Sequence, residues 1–153
     1  KLCYYIGGND LMLERAKPVL EASAAKILPL GGIGDAMVLK IVTNLVSAVI
    51  VEAVAEAAAI TKASNIPLER LHEALESNAN YSTLIGMKLP TIIQRDFEPH
   101  FSLRNMLKDA DFARELAAEA KLNAPALECT AAAMRKGVEE GKGDLDFSVI
   151  GQR

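Results

Sequence analysis

From Asp35 to Lys62 the sequence is rich in Ala, Val and Ile on nearly every helical face, and no other segment restricts the fold as strongly. At about 1.5 Å per residue this run makes a helix about 40 Å long. A helix apolar all round is a central, buried one, so the other elements are expected to pack around it. Lys40, Asn44, Glu52 and Glu56 interrupt the run. Their cost in hydrocarbon argues for the core of a soluble protein rather than a bilayer span. The length exceeds that of most helices in small domains, which points to a spine shared between neighbours.

The chain of 153 residues is 50% hydrophobic and 24% charged, enough apolar material for a domain with its own core. The formal net charge is −3, and Lys and Arg are scattered along the chain rather than gathered into a stripe. Neither nucleic acid nor an anionic membrane surface is an expected partner. Leu2 to Ile6 is too short for a signal sequence and leads into the turn residues Gly7, Gly8, Asn9 and Asp10, so secretion is not expected. Cys3 and Cys129 stand far apart in apolar surroundings. They are expected to be buried thiols in a reducing compartment, with no metal site.

Leu2 to Ile6 reads as a strand, Asp10 to Ser23 as a helix with Leu13, Ala16, Val19 and Leu20 on one face, and Lys26 to Leu30 as a second strand. One such crossover unit leaves its edges and faces uncovered and should belong to a larger sheet, so the sequence is expected to start within a domain. Beyond Gly31, Gly32 and Gly34 only helices are expected. Pro67 stands near the first turn of one that carries Leu68, Leu71 and Leu75. Tyr81 to Gln94 reads as another, with a kink or break at Pro90. After the loop Phe97 to Phe101, the residues Leu103, Met106, Leu107, Ala110, Ala113, Leu116 and Ala117 mark a long amphipathic helix. Pro125 opens the last one, and Gly137, Gly141 and Gly143 end its pattern.

Within the long apolar run, Lys40 and Asn44 are four residues apart and share a face, which Ser47 continues. A lysine among Met, Val, Leu and Ile must face water, a partner or a ligand cleft to offset its desolvation. Spacing alone is also consistent with a lysine at an exposed domain edge, its stem packed on apolar neighbours. The three glycines Gly31, Gly32 and Gly34 lack the downstream acidic partner of a dinucleotide fingerprint and are better read as a hinge or a close passage of backbone. His72 and His100 have no partners at metal or triad spacing and are given surface or capping roles.

The string from Gly31 to Asn44 resembles the G-x-x-x-K-x-x-x-N signature of the β-hydroxyacid dehydrogenases, the family of 3-hydroxyisobutyrate dehydrogenase and tartronate semialdehyde reductase. Ala36 sits two residues past Gly34, with Lys40 and Asn44 in register. The segment Asp96 to Leu103, then Lys108-Asp109, resembles that family's second landmark, and Gly141 to Ser148 its C-terminal tail.

The resemblance implies a mainly α fold: a helical domain like the C-terminal domain of 6-phosphogluconate dehydrogenase over residues 31–153, preceded over residues 1–30 by a βαβ remnant of a Rossmann domain. It further implies that Lys40 is the catalytic lysine, that Asn44 and Phe101 bind substrate, and that Lys108 and Asp109 lie near an NAD or NADP cofactor. Tyr81 and Ser82 are further pocket candidates, although residues of these types near helix starts more often pack or cap. On spacing alone, Lys108-Asp109 also reads as a solvated helix pair.

The implied substrate is a small hydroxyacid or its semialdehyde, in a cytoplasmic homodimer or higher oligomer joined through the long helix. The family's Gly-rich pyrophosphate turn has no counterpart in this sequence, so the chain alone is expected to be inactive. Thr43 stands where 6-phosphogluconate dehydrogenases carry a histidine, which makes them the poorer match. The competing expectation is a non-catalytic helical oligomerisation module.

Overall fold

The computed structural model describes residues 2–152 and divides into two compact units, one ending at Thr43 and the other beginning at Asn44. In the first unit β1 (Leu2–Ile6), α1 (Asp10–Glu21) and β2 (Ala24–Pro29) lead into α2 (Asp35–Ala63). The two strands pair in parallel, in register from Cys3 with Lys26 to Ile6 with Pro29. Parallel strands need a crossover, and α1 supplies it. Asn9 caps α1, its Oδ1 accepting from Leu11 N at 2.9 Å and Met12 N at 3.3 Å. The expected strand, helix and strand are all present.

The close passage of backbone is found where Gly7 meets Gly32: a Cβ on Gly7 would come within 2.3 Å of the Gly32 carbonyl oxygen. Gly31 and Gly34 turn the chain at φ of +103° and +98°, where only glycine is comfortable. Asp35 closes this turn, its Oδ2 accepting from Gly32 N at 2.7 Å at the start of α2.

The second unit is helical. After α2 come α3 (Leu68–Glu76), α4 (Thr83–Gln94), α5 (Leu103–Glu119) and α6 (Pro125–Gly137), followed by a π turn over Val138–Lys142 and a 3₁₀ turn over Phe147–Gly151. Ala48, Val51, Ala55 and Ala58 of α2, at helical spacing, enter a core with Leu89 of α4, Leu103 and Met106 of α5, and Leu127 and Met134 of α6. Truncating any one of these large aliphatic side chains to Ala costs about 2–5 kcal/mol. Ser102 starts α5, its Oγ accepting from Asn105 N at 3.4 Å. Arg114 reaches from α5 to both carboxylate oxygens of Glu128 on α6, at 3.0 and 2.9 Å.

Three expectations are corrected. First, α2 is apolar all round but not buried all round: Val46 is 54% and Ile60 68% exposed, and only 28% of its most apolar stretch is covered within the chain. Length and composition alone would let it cross a membrane, but its small-residue face, Ala48 to Ala58, lies in the core of the second unit. Second, α4 continues through Pro90 without the break that was one of the two expected outcomes. The carbonyl that the proline ring approaches belongs to Gly86, four residues back, and the flanking Leu89 and Ile92 are buried, so packing holds the helix where the lost hydrogen bond would weaken it. Third, both cysteines are free and exposed. Cys3 lies on a two-stranded sheet, and Cys129 on the face of α6 turned away from Leu127, Ala131 and Met134.

Candidate functional site

The site residues that the resemblance implied fall on α5, on the loop before it and on α2. The apolar stripe of α5 turns Met106, Ala110 and Ala113 inward and carries Asp109 with it, leaving the Asp109 side chain only 2% exposed. A carboxylate so placed needs partners. Asn44, 65 residues earlier on α2, donates from Nδ2 to Asp109 Oδ2 at 2.7 Å. Lys108, exposed at the adjacent position, holds its Nζ 3.7 Å from Asp109 Oδ1. The structure thus joins the asparagine of the first landmark to the Lys-Asp pair of the second.

This bond fixes the direction of the Asn44 amide. A carboxylate only accepts, so the NH₂ end faces Asp109, and what Asn44 can offer a ligand is its carbonyl oxygen and its remaining N–H. One donor is already engaged. The pair suits a ligand with a hydroxyl to donate and an oxygen to accept.

Lys40 lies on α2 one helical turn before Asn44 and is half-buried. Its backbone carbonyl accepts from Thr43 Oγ1 at 2.9 Å.

Phe101 is positioned by a cluster that the sequence reading missed. Lys88 of α4 and Asp146 are 3% and 0% exposed and form a bidentate ion pair, with Nζ 2.9 Å from Oδ1 and 2.8 Å from Oδ2. Asp146 Oδ1 also accepts from Ser148 N at 3.0 Å and Ser148 Oγ at 2.7 Å. Its Oδ2 accepts from His100 N at 3.1 Å and Phe101 N at 3.3 Å. Burial pushes the Asp146 carboxyl up, but the hydrogen bonds from Lys88 and Ser148, together with the lysine charge, outweigh it and hold the group below the usual carboxylate range. The Phe147 ring lies under the Lys88 ammonium, 4.7 Å from centroid to Nζ, and meets the Phe101 ring edge to face at 6.5 Å.

A signal for this pair was present in the sequence: a lysine flanked at helical spacing by Ile85, Leu89 and Ile92 must find a partner when its helix is buried. Ser82 serves as the cap of α4, accepting from Ile85 N at 3.3 Å. The Tyr81 phenol lies over Gly86, where an added Cβ would meet its hydroxyl oxygen at 2.4 Å. These two residues are used locally, in the packing and capping roles weighed for them.

Residues 34–152 match a protein family described as NAD-binding of NADP-dependent 3-hydroxyisobutyrate dehydrogenase. The chain is 27% identical over 151 residues to 2-hydroxy-3-oxopropionate reductase of Escherichia coli K12, covering 99% of this chain and 52% of that protein. It is 30% identical over 156 residues to a probable 3-hydroxyisobutyrate dehydrogenase of Mycobacterium tuberculosis H37Rv, covering 97% and 53%. Among solved structures, the M. tuberculosis 3-hydroxyisobutyrate dehydrogenase with L-serine superposes with a TM-score of 0.91 at 28% identity, over 99% of this chain and 54% of that one. The chain spans about half the length of the curated relatives it matches.

Proposed function

Since the chain belongs to the 3-hydroxyisobutyrate dehydrogenase family, we propose that it forms the substrate-side part of an oxidoreductase. The reaction moves a hydride between NAD or NADP and a small β-hydroxyacid or its semialdehyde. The observation that carries this reading is the 2.7 Å bond between Asn44 and the buried carboxylate of Asp109. Packing alone would favour apolar residues at both positions, whereas an amide held by a buried carboxylate is a preorganised ligand for a hydroxyl and a carboxylate oxygen.

In this reading Lys40 exchanges the proton of the reacting oxygen. In reduction its ammonium donates to the carbonyl oxygen as the carbon gains a hydride, and in oxidation the neutral amine takes the hydroxyl proton as the hydride leaves. Asn44 orients the substrate, and Phe101 closes its apolar side. A nicotinamide dinucleotide, when bound, would supply or accept the hydride. Of the residues in this chain, Lys108 fits that group: an exposed ammonium backed by Asp109 suits the nicotinamide end or a ribose or phosphate oxygen. The Gly31–Gly34 turn does not fit a pyrophosphate, because the Asp35 carboxylate already accepts from Gly32 N there.

The same reading makes β1–α1–β2 the end of a Rossmann domain and the helical unit a counterpart of the 6-phosphogluconate dehydrogenase C-terminal domain. It makes the assembly a cytoplasmic dimer or larger oligomer joined through the open face of α2, which Val46 and Ile60 leave apolar. That face also supports the competing reading of a pure oligomerisation module.

Changing Asn44 to Ala in the full-length enzyme separates the two. The KM for the hydroxyacid should rise about 10–100-fold with cofactor affinity unchanged, and an unchanged KM contradicts the substrate role. The chain by itself should give no cofactor reduction; measurable turnover would contradict the need for a separate nucleotide-binding region.

A further inference from the structure

We propose that Lys88 and Asp146 are positioning residues for the reaction: the buried pair holds Phe101, and the start of α5, in the place that substrate binding requires. This rests on the assignment of Phe101 to the substrate side.

The connections run through Asp146 in both directions. Its Oδ2 takes the backbone N–H groups of His100 and Phe101. Its own N–H donates to Phe97 O at 2.9 Å, and Phe147 N donates to Phe101 O at 3.0 Å. One residue further on, Ser102 bridges to Asp146 and Leu103 N donates to Leu145 O at 2.8 Å. The 97–103 segment is therefore tied at successive positions to a single short stretch, Leu145 to Phe147. That stretch is anchored to α4 by Lys88 and, through Ser148 Oγ, by Thr91 at 2.8 Å.

The same segment ends in Ser102, the cap of α5. Two turns along α5 lies Asp109, which grips Asn44. A shift of the clamp would move Phe101 directly and Asp109 through the helix. Neither Lys88 nor Asp146 reaches a surface from which it could touch substrate, since both are almost fully buried. Their effect can only pass through the residues they hold.

Asp146→Asn is the direct perturbation, because its single carbonyl oxygen cannot serve Lys88, Ser148, His100 and Phe101 together. In hydrogen exchange on the chain as it stands, the amides of His100 and Phe101 should exchange at least about tenfold faster while those of Ala131 and Met134 on α6 keep their protection. In the full-length enzyme, kcat/KM for the hydroxyacid should fall about 10–100-fold, mainly through KM, with cofactor affinity within about twofold of wild type. In a Phe101→Ala background the further loss should be smaller than in wild type, because only the path through α5 to Asp109 and Asn44 then remains.

Unchanged exchange at His100 and Phe101, or a full multiplicative loss in the Phe101→Ala background, overturns the clamp. Phe101→Ala alone with an unchanged KM overturns instead the substrate role on which the clamp's catalytic effect depends. Should Asp146→Asn fail to fold, the paired change Lys88→Met with Asp146→Asn removes both buried charges and is held to the same outcomes.

Discussion

Lys88→Met removes the ammonium from the most enclosed ion pair described, and the structure sets how much that costs. The change deletes both hydrogen bonds to Asp146, at 2.9 and 2.8 Å, and the contact over the Phe147 ring at 4.7 Å. Breaking a buried pair from one side costs about 3–5 kcal/mol, because the remaining charge stays buried. Here Asp146 keeps Ser148 N, Ser148 Oγ, His100 N and Phe101 N as donors, which places the cost near the lower end, about 3 kcal/mol. At about 3 °C per kcal/mol for a chain of this size, Tm should fall about 9 °C. Replacing both residues, Lys88→Met with Asp146→Asn, leaves no buried charge in this cluster and should cost less than either single change. Urea titration followed by circular dichroism at neutral pH reads all four proteins, and an unchanged m-value confirms that the native state alone is affected. A loss under about 1 kcal/mol for Lys88→Met, or a double variant at the sum of the single losses, would refute the coupling.

The Asp146 carboxyl lies below its usual range in the folded chain, so its contribution is fully present above the unfolded value of about 4 and is lost as pH falls through the lower folded value. Melting curves from pH 7 to pH 2.5 should show the advantage of wild type over Asp146→Asn shrinking only below about pH 4; a constant difference would contradict this. Asn44→Asp sets a second carboxylate against Asp109 where the amide now sits at 2.7 Å. Urea titration at neutral pH should read a loss of about 2 kcal/mol relative to wild type from the two like charges; no loss would contradict the contact. Gly141 holds φ +82° in the π turn after α6, so Gly141→Ala should cost about 1–2 kcal/mol by thermal melting, and no loss would show that the turn relaxes.

The helices were legible in the sequence because each is written locally. Pro125 opens α6, the stripe from Leu103 to Ala117 marks α5, and the Ala-Val-Ile run from Asp35 marks α2. The exposure of α2 was not legible, since apolarity all round does not say which faces this chain itself covers. Pro90 misled for a similar reason: the buried neighbours Leu89 and Ile92 hold α4 together there, which a residue-by-residue rule does not weigh. The site was legible as separate landmarks. Asn44 and Asp109 were each noticed, but the bond that joins them across 65 residues is a tertiary fact without a periodic signature. The same holds for Lys88 and Asp146, 58 residues apart; only the oddity of a lysine between Ile85 and Leu89 marked the position in advance.

The central claim is that Lys40 acts on the reacting oxygen and not on the dinucleotide. Lys40→Ala in the full-length enzyme, read by steady-state kinetics and by fluorescence titration of the reduced cofactor, tests it most directly. The account predicts a fall in kcat of about 10²–10⁴-fold with cofactor affinity within about twofold of wild type. Retained turnover, or a loss of cofactor binding in step with the loss of rate, would contradict it.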